Sequence, residues 1–244
     1  MADNINEIIK LKSEIEQLKK EIEFKNGWLS LISHDFKEAF NTIQWLVQSL
    51  EDKAISEKDF FMLLPRAKQD AQKNLQIISD TSNWLKTQQK GFKLIKTEIF
   101  AIEVFMRLML NFKNKFQNKN LQFSFHGDEN IKFSTDIVLL NFILDKILDN
   151  AVKYSTKGNS ISFNVSKQDD FITFSIIDSG IGIKSDNVEK LFSFENVIHK
   201  GTNGEIGAGL SLKIVKKFVY LMEGNIEINS AENEGTTISI TIPQ

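Results

Sequence analysis

The chain has 244 residues, 41% hydrophobic and 25% charged, enough for one large domain or two ordinary ones. Thirty basic against thirty-two acidic residues give a net charge of -2, without the basic excess of a protein that works on nucleic acid. The absence of cysteine excludes disulfides, zinc thiolate centres and cysteine nucleophiles.

The N-terminal stretch is polar, and no apolar run approaches the roughly 20 residues that span a bilayer. A cytoplasmic location fits this, either for the chain alone or for the cytoplasmic part of a longer receptor. Twenty phenylalanines against two tyrosines suggest a Phe-filled core and nothing more.

From Ile8 the apolar residues recur in steps of three and four: Leu11, Ile15, Leu18, Ile22, Leu29, Ile32, Phe36, Ala39, Ile43, Leu46 and Leu50, interrupted at Lys25. A seam at this period predicts a coiled coil, about 63 Å long over Ile8 to Leu50. A polar break at Asp52 to Lys58 precedes a second helix with the same spacing at Phe61, Leu64, Lys68, Ala71, Leu75, Ile78, Ser82 and Leu85. Pro65 is expected near its start, where a missing N–H costs least, and Gln89-Lys90-Gly91 reads as the stop. Two such helices form a hairpin, and two hairpins form a four-helix bundle, so a homodimer is expected. A monomer whose hairpin packs on the C-terminal domain is the competing arrangement.

His34 falls on the side of the seam helix that points away from the partner, beside Asp35, whose carboxylate could orient an imidazole and accept its proton. Taken alone, an exposed histidine on a helix is ordinary surface.

Beyond Lys96 the period changes. A short strand at Ile99-Phe100, a helix over Ile102 to Phe116 and a strand over Leu121 to Phe125 are followed by a helix from the N-cap Asp136 to Tyr154. Ser160 to Ser166 and Phe171 to Ile177 read as a hairpin. A helix over Leu210 to Met222 and strands over Asn225 to Asn229 and Thr237 to Ile242 close the chain. The expected architecture is α+β: an N-terminal coiled coil and hairpin, then an α/β sandwich with one mixed sheet and helices on one face.

No GxxxxGK[ST] loop occurs, but three clusters carry polar chemistry. Leu148-Asp149-Asn150-Ala151-Val152-Lys153-Tyr154 ends a helix. Asp178-Ser179-Gly180-Ile181-Gly182-Ile183 ends a strand, where a carboxylate could accept from an exocyclic amine and glycines would let a flat ring approach the backbone. Gly201 to Leu212, expected to be mobile, runs into a helix N-terminus suited to phosphate. Each cluster alone is often a turn or a linker.

Together and in this order they resemble the ATP-binding domain of sensor histidine kinases, a family within the group shared with Hsp90, type II topoisomerases and MutL. The likeness is closest to the type common in Bacteroidetes and covers Asn26 to Gln244. LDNAVKYS resembles the asparagine box, DSGIGI and GAGLSL the two glycine boxes, EGTTISITIP the closing strand, and SHDFKEAFN the phosphoacceptor helix. The resemblance implies a signalling coiled coil over 1–25, a dimerisation and phosphotransfer hairpin over 26–91, and a catalytic ATP-binding domain over 96–244.

It further implies His34 as phosphoacceptor, Asp35 as base, Asn150 as the Mg²⁺ ligand, and Lys153 with Tyr154 at the phosphates. Asp178 would read adenine, with Gly180, Gly182 and Ile183 beside the ring and Thr236 near the base. Gly207, Gly209 and Leu210 would meet the phosphates, and Ser193 to Ile206 would form a lid with Phe192 at its root. ATP and Mg²⁺ are the implied ligands. The implied partners are a second copy, the receiver domain of a separate response regulator and an upstream sensor module.

The chain departs from the family's pattern at several positions. Lys146 stands where a second asparagine is usual, and an ammonium cannot coordinate magnesium. Glu38 and Ala39 replace the usual Thr, Ser or Asn and the usual proline after the acceptor histidine, which argues against phosphatase activity and for a weaker helix bend. Ser211 and Asn233 replace glycines. A degenerate kinase acting as a dimeric scaffold is the alternative.

Overall fold

The computed structural model describes residues 2–193, 200–205 and 211–244. The chain divides into two compact units, Met1–Ser79 and Asp80–Gln244. Among the described residues no helix is long and apolar enough to cross a membrane.

Helix α1 (Ala2–Glu51) carries the whole first seam, and α2 (Glu57–Thr87) begins after a turn in which Lys53 has φ 56°. Ser56 caps α2: its hydroxyl accepts from the Asp59 N–H at 3.1 Å and donates to the Asp59 carboxylate at 2.6 Å. With Glu57 and Asp59 against the positive end of the helix dipole, this cap starts the helix a full turn before the apolar spacing does. Pro65 is therefore inside the helix rather than at its start, and it removes the N–H that the Phe61 carbonyl would otherwise accept.

In the first unit Trp28, Ala39 and Leu46 of α1 and Ala67 and Ile77 of α2 are buried. Most of the predicted seam is not: Leu29, Phe61 and Leu75 are 62%, 65% and 66% exposed, and Ile8, Leu11, Ile15, Leu18 and Ile22 are exposed along the N-terminal rod. Ala39 and Leu46 of the predicted stripe are thus covered within the chain, and most of the rest of it is left over. Lys25, the interruption in that stripe, pairs with Glu21 at 2.7 Å on the same helix.

The second unit holds a five-stranded mixed sheet of order β2-β4-β5-β7-β6, built from β2 (Gln122–His126), β4 (Ser160–Gln168), β5 (Phe171–Asp178), β6 (Asn225–Ala231) and β7 (Gly235–Pro243). β2 runs parallel to β4, and the other neighbours are antiparallel. A separate antiparallel pair joins β1 (Lys96–Phe100) to β3 (Lys132–Asp136), a strand that the sequence reading missed. Helices α3 (Ala101–Lys119), α4 (Ile137–Tyr154) and α6 (Ser211–Leu221) complete the unit, with a short α5 (Ser185–Val188) and a 3-10 turn over Glu189–Phe192.

Alternation explains the layering. Ile161, Phe163, Val165, Ile172, Phe174, Ile176, Ile238, Ile240 and Ile242 are buried, as are Leu140, Ile143, Leu144 and Ile147 of α4 and Ile214, Val215 and Phe218 of α6. Between them on β5 and β7 lie hydroxyl pairs, Thr173 with Thr241 at 2.9 Å and Ser175 with Ser239 at 2.7 Å. Asp136 fixes where α4 begins: one carboxylate oxygen accepts from the Val138 and Leu139 N–H groups, and the other from Ile95 N–H at 2.9 Å. That start sets the phase on which Asn150, Lys153 and Tyr154 emerge four turns later.

Candidate active site

The last residue of β5 is the anchor of the site. Asp178 pairs in register with Thr236 on β7 and is 8% exposed. Its Oδ1 accepts from Gly180 N–H at 2.9 Å. Burial pushes the carboxyl up to about 6, and hydrogen bonds from the Gly180 and Thr236 backbone only partly offset this. A buried carboxylate is a strong acceptor for an N–H donor that fits the space beside it.

Two glycines let the turn after Asp178 pack closely against its neighbours. Gly182 has φ +64°, and a Cβ there would stand 1.8 Å from the Ala231 carbonyl oxygen. A Cβ on Gly180 would meet the Tyr154 carbonyl oxygen at 2.5 Å. The DSGIGI turn is held against both neighbours: Ile181 N–H donates to Tyr154 O at 3.2 Å, Asn233 N–H to Ile181 O at 2.8 Å, and Ile183 N–H to Ser230 Oγ at 2.9 Å. Ser230 in turn shares a hydroxyl contact with Thr236 at 2.9 Å.

A cavity of about 900 Å³ opens between this turn and the end of α4. Asn150, Lys153, Tyr154, Asp178, Gly182, Ile183 and Thr236 all line it. Gly180 is not among the lining residues. Phe192 lies apart from the lining, with the Lys216 ammonium 4.6 Å over its ring. Gly207, Gly209, Leu210 and part of the expected lid, residues 194–199 and Ile206, lie outside the described residues.

The lining has an apolar part, including Ile147, Ile176, Ile181 and Ile238, and a charged part with Lys115, Lys119, Lys153 and Glu205. Lys153 Nζ donates to Tyr154 Oη at 3.0 Å. Burial first, then the charges of Glu205 and Asp149, push the Tyr154 phenol up to about 12, so it stays protonated. Burial alone would raise the Glu205 carboxyl, but the Lys119 ammonium and backbone amides outweigh it and hold it below the ordinary range. Lys115 pairs with Asp149.

Sequence reasoning did not find Lys115 or Lys119, and it held Glu205 only as part of the Gly201–Leu212 stretch and the lid. A lysine closing a helix is a common C-cap, and only the fold brings it beside residues more than thirty positions away.

Lys146 is absent from the lining. Its ammonium pairs at 2.7 Å with Asp80, the first residue of the second unit, and both side chains are largely buried. It also sits 5.3 Å over the Phe142 ring. His34 is exposed on α1, with Nε2 3.9 Å from Glu38 Oε1. The Asp35 side chain lies outside the described residues.

A buried carboxylate on one wall of the cavity and lysines on another offer an acceptor and cations to a ligand of that size. Residues 135–244 match the model of the histidine kinase-, DNA gyrase B-, and HSP90-like ATPase family. The chain is 26% identical over 246 residues to the sensor histidine kinase WalK of Bacillus subtilis (strain 168), covering 98% of this chain and 40% of WalK. It is 29% identical over 233 residues to the sensor protein RprX of Bacteroides fragilis (strain YCH46), covering 92% of this chain and 44% of RprX. The chain thus spans less than half the length of these relatives. The fold is that of histidine kinase ThkA in its complex with the response regulator protein TrrA, with a TM-score of 0.63 at 18% identity, over 85% of this chain and 59% of that one. The chain is thus similar to the catalytic cores of sensor histidine kinases, and its residues 135–244 match the ATPase family.

Proposed function

We propose that the chain is an ATP-dependent protein-histidine autokinase of a two-component system, which phosphorylates His34 and passes the phosphoryl group to an aspartate of a separate response regulator. The observation that carries this reading is the Asp178 corner, where a buried acceptor and Gly182 line a nucleotide-sized cavity and neither Gly180 nor Gly182 has room for a side chain.

In this reading Asp178 accepts from the adenine amine, and Gly180, Gly182 and Ile183 bring backbone within contact of the ring. Lys153 and Tyr154 meet the phosphate chain. The neutral His34 imidazole attacks the γ-phosphorus in line, the bond to the bridging oxygen breaks and ADP leaves. The proton on the other ring nitrogen passes to a carboxylate, with Asp35 as the base. Catalysis is mainly positioning and charge neutralisation.

Magnesium bound with the nucleotide would neutralise phosphate charge, and the Asn150 amide oxygen would hold it. The donor set fits. Among the described residues no group of three His, Cys, Asp or Glu forms a metal cage, and magnesium commonly takes one or two protein oxygens with phosphates and water.

The exposed seam on α1 and α2 supports a homodimer, since a stripe of that length is covered by a second helical pair. ThkA's complex with a response regulator supports a receiver domain as the phosphate acceptor. An upstream sensor would act through the N-terminal rod over residues 1–25, and a cytoplasmic setting goes with this role.

One observation favours a second reading, a scaffold that binds nucleotide without phosphotransfer: Lys146 is committed to Asp80. Incubation with γ-labelled ATP and Mg²⁺ decides between them. Acid-labile label that disappears in His34→Ala supports the kinase, and the absence of label with bound nucleotide supports the scaffold.

A further inference from the structure

The stretch Gly201–Glu205 is a closed turn rather than a free linker. Gly201 N–H donates to Glu205 O at 2.8 Å, Gly204 N–H to Gly201 O at 2.9 Å, and Asn203 N–H to the Glu205 carboxylate at 2.8 Å. The turn is seated on the C-terminal end of α4. Thr202 N–H donates to Lys153 O at 3.0 Å and the Thr202 hydroxyl to Ser155 O at 2.6 Å. The fit is close: a Cβ on Gly201 would stand 2.4 Å from Glu205 Oε2 and 2.6 Å from Lys153 Cγ.

Beneath the turn lies Lys119, the last residue of α3 and only 5% exposed. Its ammonium lies 2.9 Å from the carbonyl oxygens of Val152 and Lys153, and 3.4 Å from that of Ser155. It also donates to Thr202 Oγ1 at 2.8 Å and pairs with Glu205 Oε1 at 2.6 Å. Three protons are thus shared among five oxygens, so no donor is left over for a ligand. The carbonyls are those at the end of α4, which have no helical N–H partner and carry the negative end of the dipole. A buried cation there joins three segments that are remote in sequence. It also ties up the Glu205 charge that would otherwise face an anionic ligand freely.

We infer that Lys119 is a positioning residue of the nucleotide site, which clamps the end of α4 to the Gly201–Glu205 turn and so holds Lys153 and Tyr154 in place for a phosphate chain. The inference rests on the nucleotide reading above. It separates the two ends of the ligand, because adenine meets Asp178, on β5, while the phosphates depend on the clamp.

The test is NMR titration of the full chain with Mg·ATP and, separately, with adenosine. Lys119→Met should lower ATP affinity about tenfold, the scale on which residues supporting a ligand's direct contacts act, and leave adenosine affinity at the wild-type level. Thr202→Val, which removes one link of the clamp without stranding a charge, should shift ATP affinity the same way by a smaller factor and keeps the test valid if Lys119→Met does not fold. Equal losses for ATP and adenosine, or unchanged ATP affinity in Thr202→Val, would overturn the positioning role. If the wild type binds ATP while the variants match it, only this inference fails; if the wild type binds no ATP, the nucleotide reading fails with it.

Discussion

Asp178 does two opposed things with one proton. Its folded carboxyl titrates at about 6 instead of 3.8 because burial disfavours the charge. Between about pH 4 and pH 6 the folded state keeps a proton that the unfolded state has lost. This group's contribution to stability therefore declines as pH rises through that window and does not return above it. Nucleotide binding runs the other way, since an amine donor needs the ionised acceptor. Adenosine affinity should weaken as pH falls through about 6, and a titration series across that range should be flat in Asp178→Ala. In that variant at neutral pH the lost charged hydrogen bond should cost about 2 kcal/mol of binding, or roughly thirtyfold in Kd. Gly182 makes a structural counterpart. Gly182→Ala puts a Cβ into the Ala231 carbonyl at positive φ, and should lower domain stability by about 3 kcal/mol in denaturant unfolding, with bound ATP offsetting little of it. These residues were legible in the sequence because short motifs hold carboxylate and glycine together. The pairing of Lys119 with Glu205 was not, since the two are close only after folding.

At the level of elements, the sequence showed a seam, and the structure shows which seam it is. Helices α1 and α2 bury Trp28, Ala39, Leu46, Ala67 and Ile77, while Leu29, Phe61 and Leu75 stay exposed. Apolar spacing identifies a stripe that needs covering, but not whether the cover comes from the same chain. The double variant Phe61→Glu/Leu75→Glu should convert a dimer to a monomer in sedimentation equilibrium while the helix content stays unchanged. An unchanged dimer mass would place the subunit contact elsewhere. Two boundaries escaped the spacing for local reasons. The Ser56 cap starts α2 before its first apolar residue, which puts Pro65 inside the helix. Strand β3 is only five residues long and ends in the cap of α4, so its alternation of Phe133 and Thr135 is too brief to stand out.

Across the whole molecule, the mixed sheet and the α4 phase were largely foreshadowed, because the buried residues alternate on strands and recur at helical spacing around capped ends, while the strand order was not. The chain-specific departures carry the remaining information. Lys146 leaves the cavity to pair with buried Asp80, and Lys119 fastens α3, α4 and the Gly201–Glu205 turn together. In the proposed reaction a nucleotide held beside Asp178 phosphorylates the solvent-facing imidazole of His34. Its most direct measurement is intact-mass analysis with peptide mapping after incubation with Mg·ATP. One acid-labile phosphoryl group per chain, located on His34 and missing in both His34→Ala and Asp178→Ala, is the expected result. Phosphate on a hydroxyl side chain, or an undiminished signal in His34→Ala, would contradict it.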